Sequence, residues 1–76
     1  MPKLPILKPR EVLRVLSKAG FYVHHQTGSH ARLFHTARPD RVTVPIHPGD
    51  LPSSVLISII RQSGMTKEEF LNLLEE

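Results

Sequence analysis

One short run in the first half of the chain holds residue types that could perform acid–base chemistry: Gln26-Thr27-Gly28-Ser29-His30. Gly28 would allow a tight turn at low steric cost, and Ser29 is a common turn residue that can hydrogen-bond nearby backbone. His30 would then begin a strand, which would hold its imidazole at the edge of a sheet. An imidazole held beside cationic side chains suits proton transfer on a phosphodiester. The alternative is that His30 is an ordinary solvated surface residue.

The elements that must position this run follow from hydrophobic periodicity and turn residues. Apolar residues at helical spacing predict a first helix over roughly residues 9–19, with Pro9 at its first position and Gly20 at C′. Alternating patterns predict three strands, over residues 21–26, 30–36 and 41–46. The short connections between these strands imply an antiparallel meander with one packed face and one open face.

The second half of the chain predicts two more helices. Asp50 can cap the first of them, with Pro52 tolerated in its first turn, and Gly64 ends it. Thr66 and Glu69 have the spacing of a capping box, which begins a short last helix. The predicted fold class is therefore α+β, in one domain over residues 1–76. Its order is α-β-β-β-α plus a short C-terminal helix, with helices on one face of a three-stranded antiparallel sheet.

The open face of this sheet would bring together several chemically useful side chains. We expect Ala31 and Leu33 to face the helices, which places His30 and Arg32 on the open face and leaves Phe34 there as well. Strict alternation along the first strand places His25 on the helix side. The expected open face carries Tyr22, His24, His30, Arg32, Arg41 and Thr43. Aromatic, imidazole and guanidinium groups are those that RNA uses for stacking, proton transfer and phosphate contacts.

Composition and charge restrict the class of protein. The net charge is +3, with a balance of +6 over residues 1–45 and −3 over residues 46–76. A basic half attracts polyanions, nucleic acid first, although an ordinary solvated surface would look similar. There is no cysteine, which excludes disulfides and thiolate metal sites. The sequence has neither the pattern of a signal peptide nor an apolar run long enough to span a membrane, so it predicts a soluble cytoplasmic protein. Its first eight residues are expected to be extended and loosely held.

Several pieces of the chain together resemble the HicA (YcfA-like) family of bacterial toxins. They span most of the chain in the family's order: Ala19-Gly20-Phe21, Gly28-Ser29-His30, Val42-Thr43-Val44-Pro45 with His47, and Arg61-Gln62-Ser63-Gly64-Met65-Thr66 with Glu69-Phe70. One departure is visible, because family members often open the second long helix with Gly-Thr followed soon by a basic residue. Here Pro52-Ser53-Ser54 stands at that place and the next basic residue is Arg61.

The resemblance implies a double-stranded-RNA-binding-domain-like fold and the activity of an mRNA interferase, a toxin that cleaves RNA. It implies that His30 is the catalytic histidine and that a HicB-like antitoxin binds the toxin and masks the site. Apart from His30, the residues expected to contact RNA are Gly28, Ser29, Arg32, Arg41, Lys18, His24 and Tyr22. His24 is also a possible second proton-transfer group, and no cofactor is expected.

Two rival functions remain open from the sequence. The basic half and the fold also suit a module that binds RNA without cleaving it. Five histidines without cysteine could instead hold a transition metal. The metal hypothesis is the weaker one, since His24 and His25 are adjacent on a strand and should point to opposite faces.

Overall fold

The computed structural model describes residues 4–76, which form three helices and a three-stranded sheet. In chain order the elements are α1 Pro9–Lys18, β1 Phe21–Gln26, β2 His30–His35, β3 Arg41–Pro45, α2 Ser53–Ser63 and α3 Lys67–Glu75. The strands are antiparallel in the order β1-β2-β3, so β1 and β3 are the edges. The predicted α+β class and its double-stranded-RNA-binding-domain-like order are confirmed. Among residues 4–76, no helix is long and apolar enough to cross a membrane.

The helices cover one face of the sheet and leave the other, the open face, uncovered. Ala31 and Leu33 of β2 are almost fully buried, as predicted, and so are Val42 and Val44 of β3. Their helical partners in the core are Val12, Val15, Leu16, Leu56, Ile59, Ile60 and Phe70. Burying side chains of this size stabilises the fold by roughly 1.5–3 kcal/mol each.

The predicted helix ends are mostly confirmed. Pro9 is the first residue of α1, and Gly20 follows its end with a φ of 102°. Gly64 ends α2 with a φ of 77°, in the left-handed region that favours glycine. The Thr66 hydroxyl accepts from the Glu69 N–H at 3.1 Å, and the Glu69 carboxylate accepts from the Thr66 N–H at 2.8 Å. This reciprocal pair is the predicted capping box of α3.

The start of α2 and the chain start differ from prediction. Pro52, not Asp50, is the N-cap of α2, and no side chain bonds at that cap. The reason is Leu51, which is 4% exposed and whose N–H donates to the Leu7 carbonyl at 2.8 Å. This contact buries the chain directly after Asp50, so α2 begins only at Ser53. It also holds the buried Leu7 in place, so the segment predicted to be loosely held is anchored at that residue, while residues 1–3 of that prediction lie outside the described residues.

The pairing of β1 with β2 contains one extra residue on the β1 side. Phe21 lies opposite His35 at one end, and at the other the Thr27 N–H donates to the His30 carbonyl at 2.9 Å. Residues 21–27 number seven and residues 30–35 number six, so both ends can pair only if one residue bulges. The register shift lies between Val23 and His25. Beyond it, alternation along β1 is reversed.

Candidate active site

The hairpin turn between β1 and β2 is organised by the Thr27 hydroxyl. Thr27 Oγ1 accepts from the backbone N–H of Ser29 at 3.4 Å and of His30 at 3.1 Å. The predicted turn is confirmed, but it does not require glycine. Gly28 has no positive φ, and a Cβ built there would meet no atom within 4 Å. Its missing side chain therefore opens the surface of the turn rather than relieving its backbone.

His30 is the first residue of β2, and its imidazole is exposed and anchored on one side. Ser29 Oγ lies 3.0 Å from His30 Nδ1. Within the described part of the chain, His30 Nε2 makes no hydrogen bond. A hydroxyl can donate or accept, so Ser29 can support the ring with Nδ1 either bare or protonated. The arrangement orients the ring and leaves Nε2 available.

Three strands contribute to the depression that His30 lines, which we term the histidine pocket. Its lining residues are His25, Thr27, His30, Arg32 and Thr43, around a volume of about 510 Å³. Arg32 lies at its centre, because it pairs with His25 across β1 and with Thr43 across β3. The sequence prediction that His30 and Arg32 lie together on the open face is confirmed.

His25 reaches the histidine pocket because of the bulge, and the prediction that it faces the helices is wrong. Directly opposite residues of an antiparallel pair share a face, and His25 is opposite Arg32. Simple alternation could not reveal this, since His24, His25 and Gln26 are all polar. No apolar residue among them indicates which side chain faces the core. The signal that could have revealed it is the count of residues between Phe21 and the turn.

A second group on the open face is held together by its rings, and we term it the stacking cluster: Tyr22, His24, Phe34 and Arg41. The His24 ring stacks on the Phe34 ring, with centroids 4.0 Å apart and planes 10° apart. The Arg41 guanidinium carbon lies 4.6 Å from the same ring centroid, and Tyr22 approaches it edge-on at 6.4 Å. Sequence reasoning placed Phe34 on the open face but gave it no role.

On its other side, His30 borders α2 through a shallow groove. Ser54 and Ser58 of α2 line this groove together with His30 and Thr43. Gln62 fixes the helix there, because its Oε1 accepts from the Thr43 N–H at 3.0 Å on the free edge of β3. Ser54, the last residue of the stretch that stands in place of the family's Gly-Thr opening, therefore lies in the same groove as His30.

Lys18 is the one predicted RNA contact that the structure does not bring to the open face. It lies at the end of α1, and its Nζ donates to the carbonyls of Leu73 at 3.1 Å and Glu76 at 2.8 Å. Its charge is placed at the C-terminal end of α3, where a cation stabilises the helix dipole. Lys18 therefore holds two helices together.

His35, the last residue of β2, has a local structural role at the margin of the sheet. Its Nδ1 accepts from the Ala37 N–H at 3.0 Å, so Nε2 carries the proton and donates to the Ala19 carbonyl at 2.9 Å. A Cβ on Gly20 would lie 2.7 Å from this Nε2, so glycine is required there. His47 is exposed beside the loop that contains Gly49.

Among residues 4–76, no group of three or more histidines or carboxylates could hold a metal ion. The sequence argument against a metal assumed that His24 and His25 point to opposite faces. That premise is wrong, because the bulge places both on the open face, with His24 against Phe34 and His25 in the histidine pocket.

Comparison with known families gives this geometry a context. The sequence pattern of the HicA toxin of bacterial toxin–antitoxin systems matches residues 9–65. The chain belongs to the HicA toxin family. The match covers 57 of 76 residues and contains both the histidine pocket and the stacking cluster, while α3 lies beyond it. No match was found among curated proteins. Membership of this family implies a ribonuclease toxin that acts within a toxin–antitoxin pair.

Proposed function

We propose that the chain is an mRNA interferase that cleaves RNA by histidine-assisted attack of the ribose 2′-OH, without a bound metal. A base removes the 2′-OH proton, and the bond from O2′ to phosphorus forms as the bond from phosphorus to O5′ breaks. An acid then protonates O5′. The products are a 2′,3′-cyclic phosphate and a 5′-OH, so the reaction needs no water and no further reactant.

His30 is the proposed catalytic residue, and Ser29 and Arg32 are proposed to assist it. The observation that carries this assignment is the anchoring of the His30 ring by Ser29 at 3.0 Å, in the same pocket as Arg32. Nε2 is the nitrogen left for proton transfer, a role worth about 10²–10⁴-fold in rate. The Arg32 guanidinium is placed to stabilise charge on the phosphorane.

The stacking cluster is proposed to hold the RNA beside this pocket. Tyr22 and His24 present π-faces on which a base can stack, Phe34 supports the His24 ring, and Arg41 adds a positive charge against the Phe34 ring. Gly28 leaves the turn open for close approach of the RNA backbone. Such a surface binds single-stranded RNA with little need for base-specific hydrogen bonds.

A HicB-like antitoxin is proposed to neutralise the toxin by covering the open face. His30, Arg32 and Arg41 are all exposed there, so a partner that buries them would exclude RNA. An acidic partner surface would complement the guanidinium groups. Because mRNA is the proposed substrate, the site of action would be the cytoplasm.

The decisive experiment compares RNA cleavage by the wild-type chain, His30→Ala and His47→Gln. We expect His30→Ala to lower kcat by about 10²–10⁴-fold with little change in RNA affinity. His47→Gln removes an exposed imidazole outside the pocket and should retain activity. Each variant is checked for folding by circular dichroism, and each assay is repeated with a chelator. Undiminished cleavage by His30→Ala would contradict the assignment, and loss of cleavage with chelator would contradict metal independence.

The second candidate is a module that binds RNA and leaves it intact. The stacking cluster favours it, because binding alone would account for those contacts. Labelled RNA incubated with purified protein separates the two functions on a gel. Shorter products that depend on His30 support the ribonuclease, whereas a shifted but intact band supports the binding module.

A further inference from the structure

His25 lines the histidine pocket because of the bulge in β1, and none of the motifs on which the family resemblance rests contains it. We infer that His25 is the second proton-transfer group of the cleavage reaction, acting at the oxygen opposite to that served by His30. The inference rests on the proposed ribonuclease function. It names a residue that sequence alternation had placed on the wrong side of the sheet.

The register gives the relative positions of the two imidazoles. His25 is directly opposite Arg32, and His30 is two residues before Arg32 on the same face of β2. His25 and His30 are therefore diagonal neighbours, a relation that separates residues by roughly 7–8 Å across a sheet. Each imidazole can transfer a proton over a hydrogen bond of about 3 Å. A phosphodiester therefore fits between the two rings, with one nitrogen near O2′ and the other near O5′.

The neighbours of His25 suit this role. The charged and titratable groups that line the histidine pocket with it are His30 and Arg32, and among residues 4–76 no carboxylate lines it. Thr27 and Thr43 complete the lining and are neutral. The His25 ring is exposed, so substrate can reach it. Arg32 between the two histidines is placed to hold the phosphate while protons move at either side.

His24 is the less suitable of the two adjacent histidines. Its ring is already stacked on Phe34 at 4.0 Å and does not line the pocket. We therefore assign the second proton transfer to His25 and not to His24, the residue that the sequence suggested for it. The bulge divides the pair, giving one ring to the stacking cluster and the other to the histidine pocket.

In the resulting cycle, one imidazole takes the proton from the 2′-OH as the bond from O2′ to phosphorus forms. The other, entering as imidazolium, gives its proton to O5′ as the bond from phosphorus to O5′ breaks. Proton exchange with solvent restores both rings. Because one ring must be neutral and the other protonated, kcat/KM should fall at both low and high pH.

The test measures kcat/KM against pH on a short RNA for the wild-type chain, His25→Gln and His47→Gln. We expect a bell-shaped profile for wild type. His25→Gln should lower the maximum by about 10²-fold or more and remove one limb. His47→Gln is the control, since it removes an exposed imidazole that belongs to neither the histidine pocket nor the stacking cluster, and it should keep both limbs and a maximum close to that of wild type.

A second substrate tests which histidine is the acid without relying on how far each variant lowers the rate. RNA with sulfur in place of the bridging O5′ has a leaving group that needs no protonation. Of His25→Gln and His30→Ala, the variant that lacks the acid should regain most of its rate on this substrate, and the other should not. Rescue of one variant alone supports the division of roles. Rescue of both or of neither overturns it.

The outcomes separate this inference from the function on which it rests. If His30→Ala cleaves RNA as well as wild type, the proposed function itself fails. If His30 is required while His25→Gln keeps both limbs of the profile and a rate within about threefold of wild type, only the role of His25 is overturned.

Discussion

The histidine pocket and the stacking cluster occupy the same open face but are built in opposite ways. In the stacking cluster, four side chains contact one another through a single ring, that of Phe34. In the pocket, residues from three strands surround a depression, and their side chains hardly bond to one another. The contact between Ser29 and His30 is the one hydrogen bond joining two side chains among residues 4–76.

Under the proposed mechanism, this difference corresponds to two roles, RNA binding for the stacking cluster and proton transfer for the histidine pocket. Stacked rings are preorganised and apolar, so they can hold a base without rearrangement. In the pocket, among the hydrogen bonds of residues 4–76, the His30 Nε2 and the side chains of His25 and Arg32 have no protein partner, so they can bond to a bound phosphate. Changes in the pocket should therefore act on kcat, whereas changes in the cluster should act on RNA affinity.

The largest effect in the pocket, apart from those of the histidines, is expected at Arg32. Arg32→Ala should lower kcat by about 10²–10³-fold, because the developing phosphorane charge loses its cation. RNA affinity should change much less. Arg10→Ala is the matched control, since it removes an exposed charge from α1 and should leave kcat near wild type. An equal loss in the two variants would mean that general charge, and not position, carries the effect.

At Phe34 we expect a loss of affinity instead. Phe34→Ala removes the ring on which His24 and Arg41 are placed, and base stacking is worth about 1–3 kcal/mol per base. Kd for a short RNA should rise by about tenfold, with kcat at saturation nearly unchanged. Phe34→Tyr keeps the ring and should bind close to normally. A Phe34→Ala variant with normal Kd and reduced kcat would break the proposed separation.

The smallest effects distinguish two basic residues that the sequence treated alike. Arg41→Ala should reduce the salt dependence of RNA binding by about one unit of log–log slope, because one phosphate contact is lost. Lys18→Ala should leave that slope unchanged and lower Tm by roughly 4 °C, because Nζ no longer holds the end of α3. The prediction fails if Lys18→Ala changes the slope as much as Arg41→Ala.

Much of the fold is predictable from local signals. Gly20, Gly64 and the pair Thr66–Glu69 mark helix ends through backbone conformation and capping bonds that depend on a few adjacent residues. Ala31 and Leu33 are placed by simple alternation on a central strand. In each of these cases the physical cause lies within a few positions of the residue itself.

The failures have causes that lie far away in the sequence. The bulge at β1 arises because Phe21 pairs with His35 while the Thr27 turn fixes the other end of the hairpin. Asp50 is not the N-cap of α2 because the Leu51 N–H donates to the carbonyl of Leu7, which lies 44 residues earlier in the chain (51 − 7). Lys18 is drawn to α3 by carbonyls near the chain end. Alternation along a single element does not encode such partners, and the position of His25 follows only when the residues of both paired strands are counted.

The account depends most directly on the ribose 2′-OH as the nucleophile presented to the histidine pocket. The measurement is cleavage and binding of two matched oligonucleotides, one all-ribose and one with a single 2′-deoxy sugar at the mapped scissile position. We predict equal affinity, cleavage of the first to a 2′,3′-cyclic phosphate, and no cleavage of the second at that position. Equal cleavage of both would contradict the mechanism.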